Sequence, residues 1–403
     1  MSHTEYKNRS RILTWIAAGL ATIVFVSGVL SGCVVDVPMP TPTPTRTPPP
    51  AATAVPTLPP QPTPTLTPIG AAPTATDLPP TATPLPENVN PLTGEVVADS
   101  SVLDRVPVAI KISNWPGQYV RPQAGINSAD LIYEHYNEGW FSSRWTGIFL
   151  SKDPERVGPV RSGRIIDLEL PAIYKAVFAC SGFSNGVIDL VQNSDLYPDW
   201  VVSESLPKTL SPSPFYRDYS RDVPLEHTMY TDATRIRTWA AEHGISGRQD
   251  LQGMIFSDEP TVEGTPATTI QIPFTYLDVE WRYDPASGRY LRWSDGVAHT
   301  DALDGQQLNV ANVVLLYVPQ YNTDIVEDPH SGALSIRWEL WYSNRAIIFR
   351  DGVQIEAFWQ RWERPDMLTL TDEDGTPIPL KVGNTFFEVL PTDDEHWIEI
   401  VVQ

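Results

Sequence analysis

The chain has 403 residues, with 28 Lys and Arg against 49 Asp and Glu, for a formal net charge of −21. Its first 32 residues carry Lys7, Arg9 and Arg11 against Glu5, so the rest sits at −23. That balance argues against a nucleic-acid role, which needs a basic surface to neutralise phosphates, and against adhesion to anionic lipid headgroups.

The basic start leads into an uncharged run, Ile12 to Leu30, which ends at Leu30-Ser31-Gly32-Cys33. A basic start, an apolar centre and small residues before a cut site are the parts of a secretory signal. The cysteine directly after Leu-Ser-Gly resembles the bacterial lipobox. That resemblance implies a lipoprotein signal peptide over 1–32, cleavage before Cys33 and a diacylglycerol on its thiol. Two other readings stay open: the run is about long enough to cross a hydrocarbon core as an uncleaved helix, and Cys33 could be an unmodified thiol. Under each reading the bulk of the chain is held at a membrane, on the extracellular face of the bacterial cytoplasmic membrane. Two acyl chains, at about 0.8 kcal/mol per buried CH2, would hold it stably.

Residues 33–87 are Pro and Thr with little else (PTPTPTRTPPP, PTLPPQPTPTLTP). Proline fixes φ and removes donors, so this segment is expected as a disordered, extended stalk at about 3.1 Å per residue. It would lift a folded head through the envelope or serve as an inert linker with the same mechanics.

Residues 88–248 are expected to form a mixed α/β domain. VPVAIKI, LIYEHY, RWTGIFLS and YKAVFAC read as strands, GVIDLVQ and Thr234–His243 as helices, and the spacing of Ile165, Ile166 and Leu168 predicts a helix from Arg161 to Leu170. Residues 249–403 are expected to form a mainly β module of strands and tight turns, beginning with the hairpin VEWRYDPASGRYLRW. The fold class is therefore α+β. Cys180, in the apolar run KAVFACSGF, reads as a small buried hydrophobe, and with Cys33 committed to the anchor no internal disulfide is available.

Three blocks together resemble the YerB-like bacterial lipoproteins: PVAIKISN (107–114), RPQAGINSADLIYEHYNEG (121–139) and VGPVRSGR (157–164). The second half adds Asn312–Val314, Asp351–Trp359 and DGTPIPL. The resemblance covers nearly everything after the stalk. It implies an envelope lipoprotein with a domain of unknown function and a separate C-terminal module, and it supplies no activity. Where that family tends to show Pro-His-Asn before a tyrosine, this chain has Glu226-His227-Thr228, so a role resting on that asparagine does not carry over.

The polar constellation best suited to chemistry is Arg121, Arg144, Arg161 and Arg164, with Asp130, Glu134, Glu138 and His227 as polar partners. Guanidinium forks at a helix start suit phosphate or carboxylate. Alternatively, the arginines pair with Glu134 and Glu138 inside the fold. His227 beside Asp222 or Glu226 could act as a general base. Scattered histidines, and the lack of a phosphate-binding loop or a nucleophile elbow, give no reason to expect a metal or other cofactor. A strip of Trp281, Trp293, Trp338, Trp341, Trp359 and Trp362 could stack on glycan or fill the core.

Two functions follow. The favoured one is a non-enzymatic surface lipoprotein, membrane-held by its lipid, that binds a cell-wall glycan or an envelope protein. The other rests on a looser resemblance to the LytR-CpsA-Psr transferases, which implies an envelope enzyme on phosphorylated glycan carriers with Arg161, Arg164 and Asp130 at the anion. Arginines fully paired with Glu134 and Glu138 would favour the first, and uncommitted guanidiniums the second.

Overall fold

The computed structural model describes residues 85–403 apart from 141, 208–211, 261 and 394. The expected signal peptide, Cys33 and nearly all of the expected stalk lie outside the described residues. Two-residue strands aside, the first half contributes β1 (Val108–Ser113), β2 (Leu131–Tyr136), β3 (Ser143–Phe149), β4 (Val177–Cys180) and β5 (Val201–Ser203). The second half contributes β6 (Thr269–Phe274), β7 (Leu277–Asp284), β8 (Arg289–Ser294), β9 (Asn312–Val318), β10 (Gln320–Asp328), β11 (Ala333–Trp338), β12 (Tyr342–Arg350), β13 (Val353–Arg361), β14 (Thr369–Thr371) and β15 (Thr385–Pro391).

Ten of these strands line up in one sheet in the order β14-β13-β12-β9-β15-β2-β3-β1-β4-β5. The halves meet where β2 and β15 run parallel, from Leu131 opposite Thr385 to His135 opposite Val389. The sheet therefore continues across residue 248. Strands β6, β7 and β8 centre a second sheet, and β10 with β11 forms a separate hairpin. Helices are concentrated in the first half, strands and hairpins in the second, and the main sheet mixes parallel with antiparallel pairs, which makes the fold α+β.

Every residue of β1, β2, β3, β9 and β15 is buried, so the central strands are covered on both faces. Side chains alternate along a strand, and LIYEHY therefore sends Glu134 to one face and His135 to the other. The first face meets Trp281 and Arg292 of the second sheet. The opposite face is packed by residues 164–173, with the β10–β11 hairpin lying against Ile165–Leu168.

The helix expected from Arg161 to Leu170 is replaced by other structure. The Arg161 N–H bonds to the Lys111 carbonyl, and the Ser181 N–H to the Arg161 carbonyl, so this stretch wedges strand-like between β1 and β4. A 3-10 turn over Ile165–Leu168 and a short helix, Leu170–Ile173, follow. Sheet hydrogen bonds here override a local helical spacing. Pro171 falls in the first turn of the short helix, where its missing N–H costs nothing. Arg161 and Arg164 thus do not share a helix face.

The helix Ala233–Glu242 begins as the sequence predicts, with Asp232 accepting from the Arg235 N–H and Ile236, Trp239 and Ala240 facing the core. Of the tryptophans, Trp281, Trp338 and Trp359 are core residues, whereas Trp362 is 58% exposed. They do not form one exposed strip. Among the described residues no helix is long and apolar enough to cross a membrane.

Candidate anion pocket

Strands β1, β4 and β5 are mutually parallel, and the Val160–Arg164 segment lies across the carboxyl ends of the first two. Open α/β sheets form their ligand crevices at such ends. The Gly163 N–H bonds to the Gly182 carbonyl at 2.8 Å, and a β-carbon on Gly163 would collide with the Phe183 ring. Only glycine lets the segment lie this close to β4.

Three of the four arginines singled out in the sequence come together here. Arg144, on β3, donates Nη1 to the Ser162 carbonyl at 2.9 Å, and Arg164 donates Nη1 to the same oxygen at 3.3 Å. Arg164 is paired on its other side, with Glu138 and with Glu327 at 3.0 Å. Glu327 arrives on the β10–β11 hairpin and also accepts from Ser184 and Ser335, each at 2.8 Å. Arg144 and Arg161 are less fully neutralised: among the described residues no carboxylate forms a contact ion pair with either, although Glu138 and Glu327 act on Arg144 and Glu226 on Arg161 from farther away, and Arg161 Nη1 donates to the Glu226 carbonyl at 3.3 Å. Burial, then the charges of Arg164 and Arg161, pushes the Arg144 guanidinium well below its ordinary range. Arg161 is lowered too, by burial and then by Arg164, and its Nε is buried without a partner.

His227 lies beside this pair, stacked on Tyr119 at 5.6 Å. Burial, then the Arg161 charge, pulls its imidazole down to about 4. It is thus neutral at pH 7, and its buried Nδ1 has no partner to orient it as a base. Cys180, nearby at the end of β4, is no nucleophile either: burial raises its thiol to about 12, and it donates to the Gly182 carbonyl.

The other predicted residues lie elsewhere. Glu134 points to the opposite face, where it binds Arg292 at 2.7 Å, Asn114 at 2.9 Å and Ser143. Asp130 accepts from the Leu150 N–H at 2.6 Å, from Ser151 and from Asn90. It is five residues up β2 from His135, about 16 Å along the strand. Arg121 pairs with Asp295 at 2.6 Å in a separate cleft.

Beneath the arginines is a polar knot that the sequence reading did not single out. The fully buried Lys111 ammonium lies 2.9 Å from Asp167, 2.6 Å from His135 Nε2 and 3.0 Å from Thr146. Burial, set against the Asp167 charge, lowers this lysine to about 8. Burial and the Lys111 charge hold His135 well below its usual value, so it is neutral, accepting at Nε2 and donating from Nδ1 to the Tyr136 carbonyl. Asp167 also takes the Arg164 N–H at 2.7 Å, which fixes the segment bearing the arginines. A lone lysine in the apolar strand VAIKIS was a readable signal, because a buried ammonium needs a partner. Glu327 gave no local signal.

A family model described as "Protein of unknown function (DUF3048) N-terminal domain" matches residues 92–246. The corresponding C-terminal domain model matches residues 270–387. A Bacillus subtilis (strain 168) protein named "Putative lipoprotein YerB" is 27% identical over 309 residues, covering 75% of this chain and 86% of that protein. The crystal structure of YerB from Bacillus subtilis superposes with a TM-score of 0.63 at 25% identity, covering 77% of this chain and 99% of that one. The two family matches run in order through both halves of the sheet and together span about two thirds of the sequence, and the chain belongs to the DUF3048 family.

Proposed function

We propose that this chain is an envelope lipoprotein, tethered through Cys33 on the extracellular face of the membrane, whose head binds an anionic group of an envelope component and catalyses no reaction. The observation that carries the binding half is the pair Arg144 and Arg161, one buried and one half-buried guanidinium with no carboxylate within ion-pair distance among the described residues, beside a third that has two. A phosphate or carboxylate entering there would relieve their mutual repulsion and gain charge-assisted hydrogen bonds. Burial holds the His227 imidazole low and the Cys180 thiol high, which makes these two side chains poor candidates for a general base and a nucleophile. Uncommitted guanidiniums are the feature expected to favour the transferase reading; against it, the Asp130 it would place at the anion is bonded to Leu150 and Ser151 at the other end of β2. The tether is supported by Leu30-Ser31-Gly32-Cys33 and by a relative whose name includes lipoprotein.

Two measurements test the halves separately. Cells fed a labelled fatty acid should label the native chain and not Cys33→Ala; equal label in both removes the tether. The full chain in detergent should bind a polyprenyl phosphate, and Arg161→Gln should weaken binding about tenfold or more, the value of one charge-assisted contact. Arg161 is only partly buried, so this variant should keep the native circular dichroism. Unchanged affinity with an unchanged spectrum removes the pocket.

A further inference from the structure

Arg164 takes one of its two carboxylate partners from a distant part of the chain. Glu327 reaches it at 3.0 Å from β10, and also accepts from Ser184, on the loop after β4, and from Ser335 on β11, each at 2.8 Å. A guanidinium and a hydroxyl from outside the hairpin thus hold this carboxylate as they would hold a bound anion. The strand that carries Glu327 is lightly fixed. The β10–β11 hairpin pairs with no other strand among the described residues, its register slips on both sides of Val326, and its tip, 329–332, is exposed. Irregular pairing of this kind gathers beside functional sites. Ile336 and Trp338 root the base of the hairpin in the core. Its outer part rests on the helix Asn185–Gln192 through Ile325, which packs directly on Gly186.

We propose that Glu327 is a built-in stand-in for the ligand, a latch that holds the arginine site closed and that an entering anion must displace. This rests on the anion reading of Arg144 and Arg161 and adds the regulation of that site. With Glu327 in place, Arg164 is doubly paired. With it withdrawn, Arg164 keeps Glu138 alone and can join Arg144, with which it already shares the Ser162 carbonyl, as a donor to one ligand. A phosphate or carboxylate can take over the contacts to Arg164 and Ser184, because it offers the same acceptor oxygens. Such competition reduces the apparent affinity by the fraction of molecules whose latch is open, so loosening the latch tightens binding.

The test measures polyprenyl phosphate binding by the full chain in detergent, for the native sequence, Glu327→Gln and Gly186→Ala. Glu327→Gln keeps an acceptor oxygen for the two serines and should bind about tenfold more tightly. That gain alone would also follow from the lost charge. Gly186→Ala changes no charge. Its β-carbon would come within 2.6 Å of Ile325 Cγ2 and wedge the hairpin off the helix, so it should tighten binding about threefold. Alanine also suits a helix better than glycine, so folding is not at risk. Hydrogen exchange gives a third readout: amides 320–334 of the native chain should exchange faster when the ligand binds. Unchanged or weaker binding in Gly186→Ala overturns the latch, and so do amides 320–334 that exchange no faster with ligand. A native chain that fails to bind while Glu327→Gln binds supports it; binding by neither overturns it. Arg161→Gln judges the anion site itself. A chain that weakens there and ignores both hairpin changes loses the latch and keeps the proposed function.

Discussion

An Arg292→Ala chain is expected to lose about 3–5 kcal/mol of folding stability, the cost of leaving buried charge without its partner. Arg292, on β8, is fully buried and reaches across to the main sheet, where it binds Glu134 at 2.7 Å and Glu388 at 3.2 Å. Its guanidinium carbon also lies 4.9 Å from the Phe386 ring centre and 5.1 Å from those of Trp145 and Trp281. Glu134 and Glu388 are direct neighbours in the parallel pairing of β2 with β15, so one cation serves two adjacent carboxyls, one from each half of the sequence. Alanine would leave both without it. Urea unfolding of the full chain, followed by tryptophan fluorescence, measures the loss; a change under 1 kcal/mol would mean that water reaches the two acids.

Glu388 gives the same site a pH signature. Burial first, and then the neighbouring Glu134, raises its pKa well above the ordinary carboxyl value of 4.5, and the Trp281 indole N–H donates to it at 2.8 Å. A carboxyl with a raised folded pKa contributes stability that is complete below 4.5 and fades as pH climbs toward the folded value. Glu388→Gln keeps the neutral form at every pH. It should therefore match the native chain under acid conditions and gain on it as pH rises.

The elements of this fold were legible for ordinary reasons. LIYEHY, NVVLLYV and RWTGIF are apolar runs bounded by turn residues, and they became buried strands. What joins them was not legible. Glu134 finds Arg292 158 positions away, and Arg164 finds Glu327 on a hairpin of the other half. No local spacing encodes a partner at that range. Of the two acids weighed as partners for the arginines, Glu138 meets Arg164, and strand alternation puts Glu134 on the far face, where it meets Arg292. The helical spacing of 165–168 misled for a related reason: backbone groups of residues 160–163 are engaged by sheet neighbours that the segment itself cannot reveal.

The second large effect lies on the opposite face. Asp167→Ala should destabilise the chain by about 3–5 kcal/mol at pH 7, since it strands the buried Lys111 ammonium among Arg144 and Arg164. The pH dependence distinguishes this cause from simple loss of packing. In the native protein burial holds Lys111 at about 8, below the ordinary lysine value of 10.5. Without the carboxylate its folded pKa must fall further, because the first cause of the shift, burial, remains and the opposing Asp167 charge is gone. A base with a depressed folded pKa contributes stability above its unfolded pKa and loses it as pH falls through the folded one. The unfolded value is common to both chains and cancels, so the gap between Asp167→Ala and the native chain should shrink as pH rises from 7 to about 8, where the native amine also sheds its proton, and should stay constant above that. Lys111→Met is the control. It removes the charge that needs pairing and leaves Asp167 with Thr146 and the Arg164 N–H, so its deficit should be smaller at pH 7. A deficit for Asp167→Ala that stays flat from pH 7 to 10 would show that packing, and not the stranded ammonium, sets the cost. Because Asp167 also holds the Arg164 backbone, the variant that folds should bind polyprenyl phosphate more weakly than Lys111→Met, tying the knot beneath the sheet to the pocket above it.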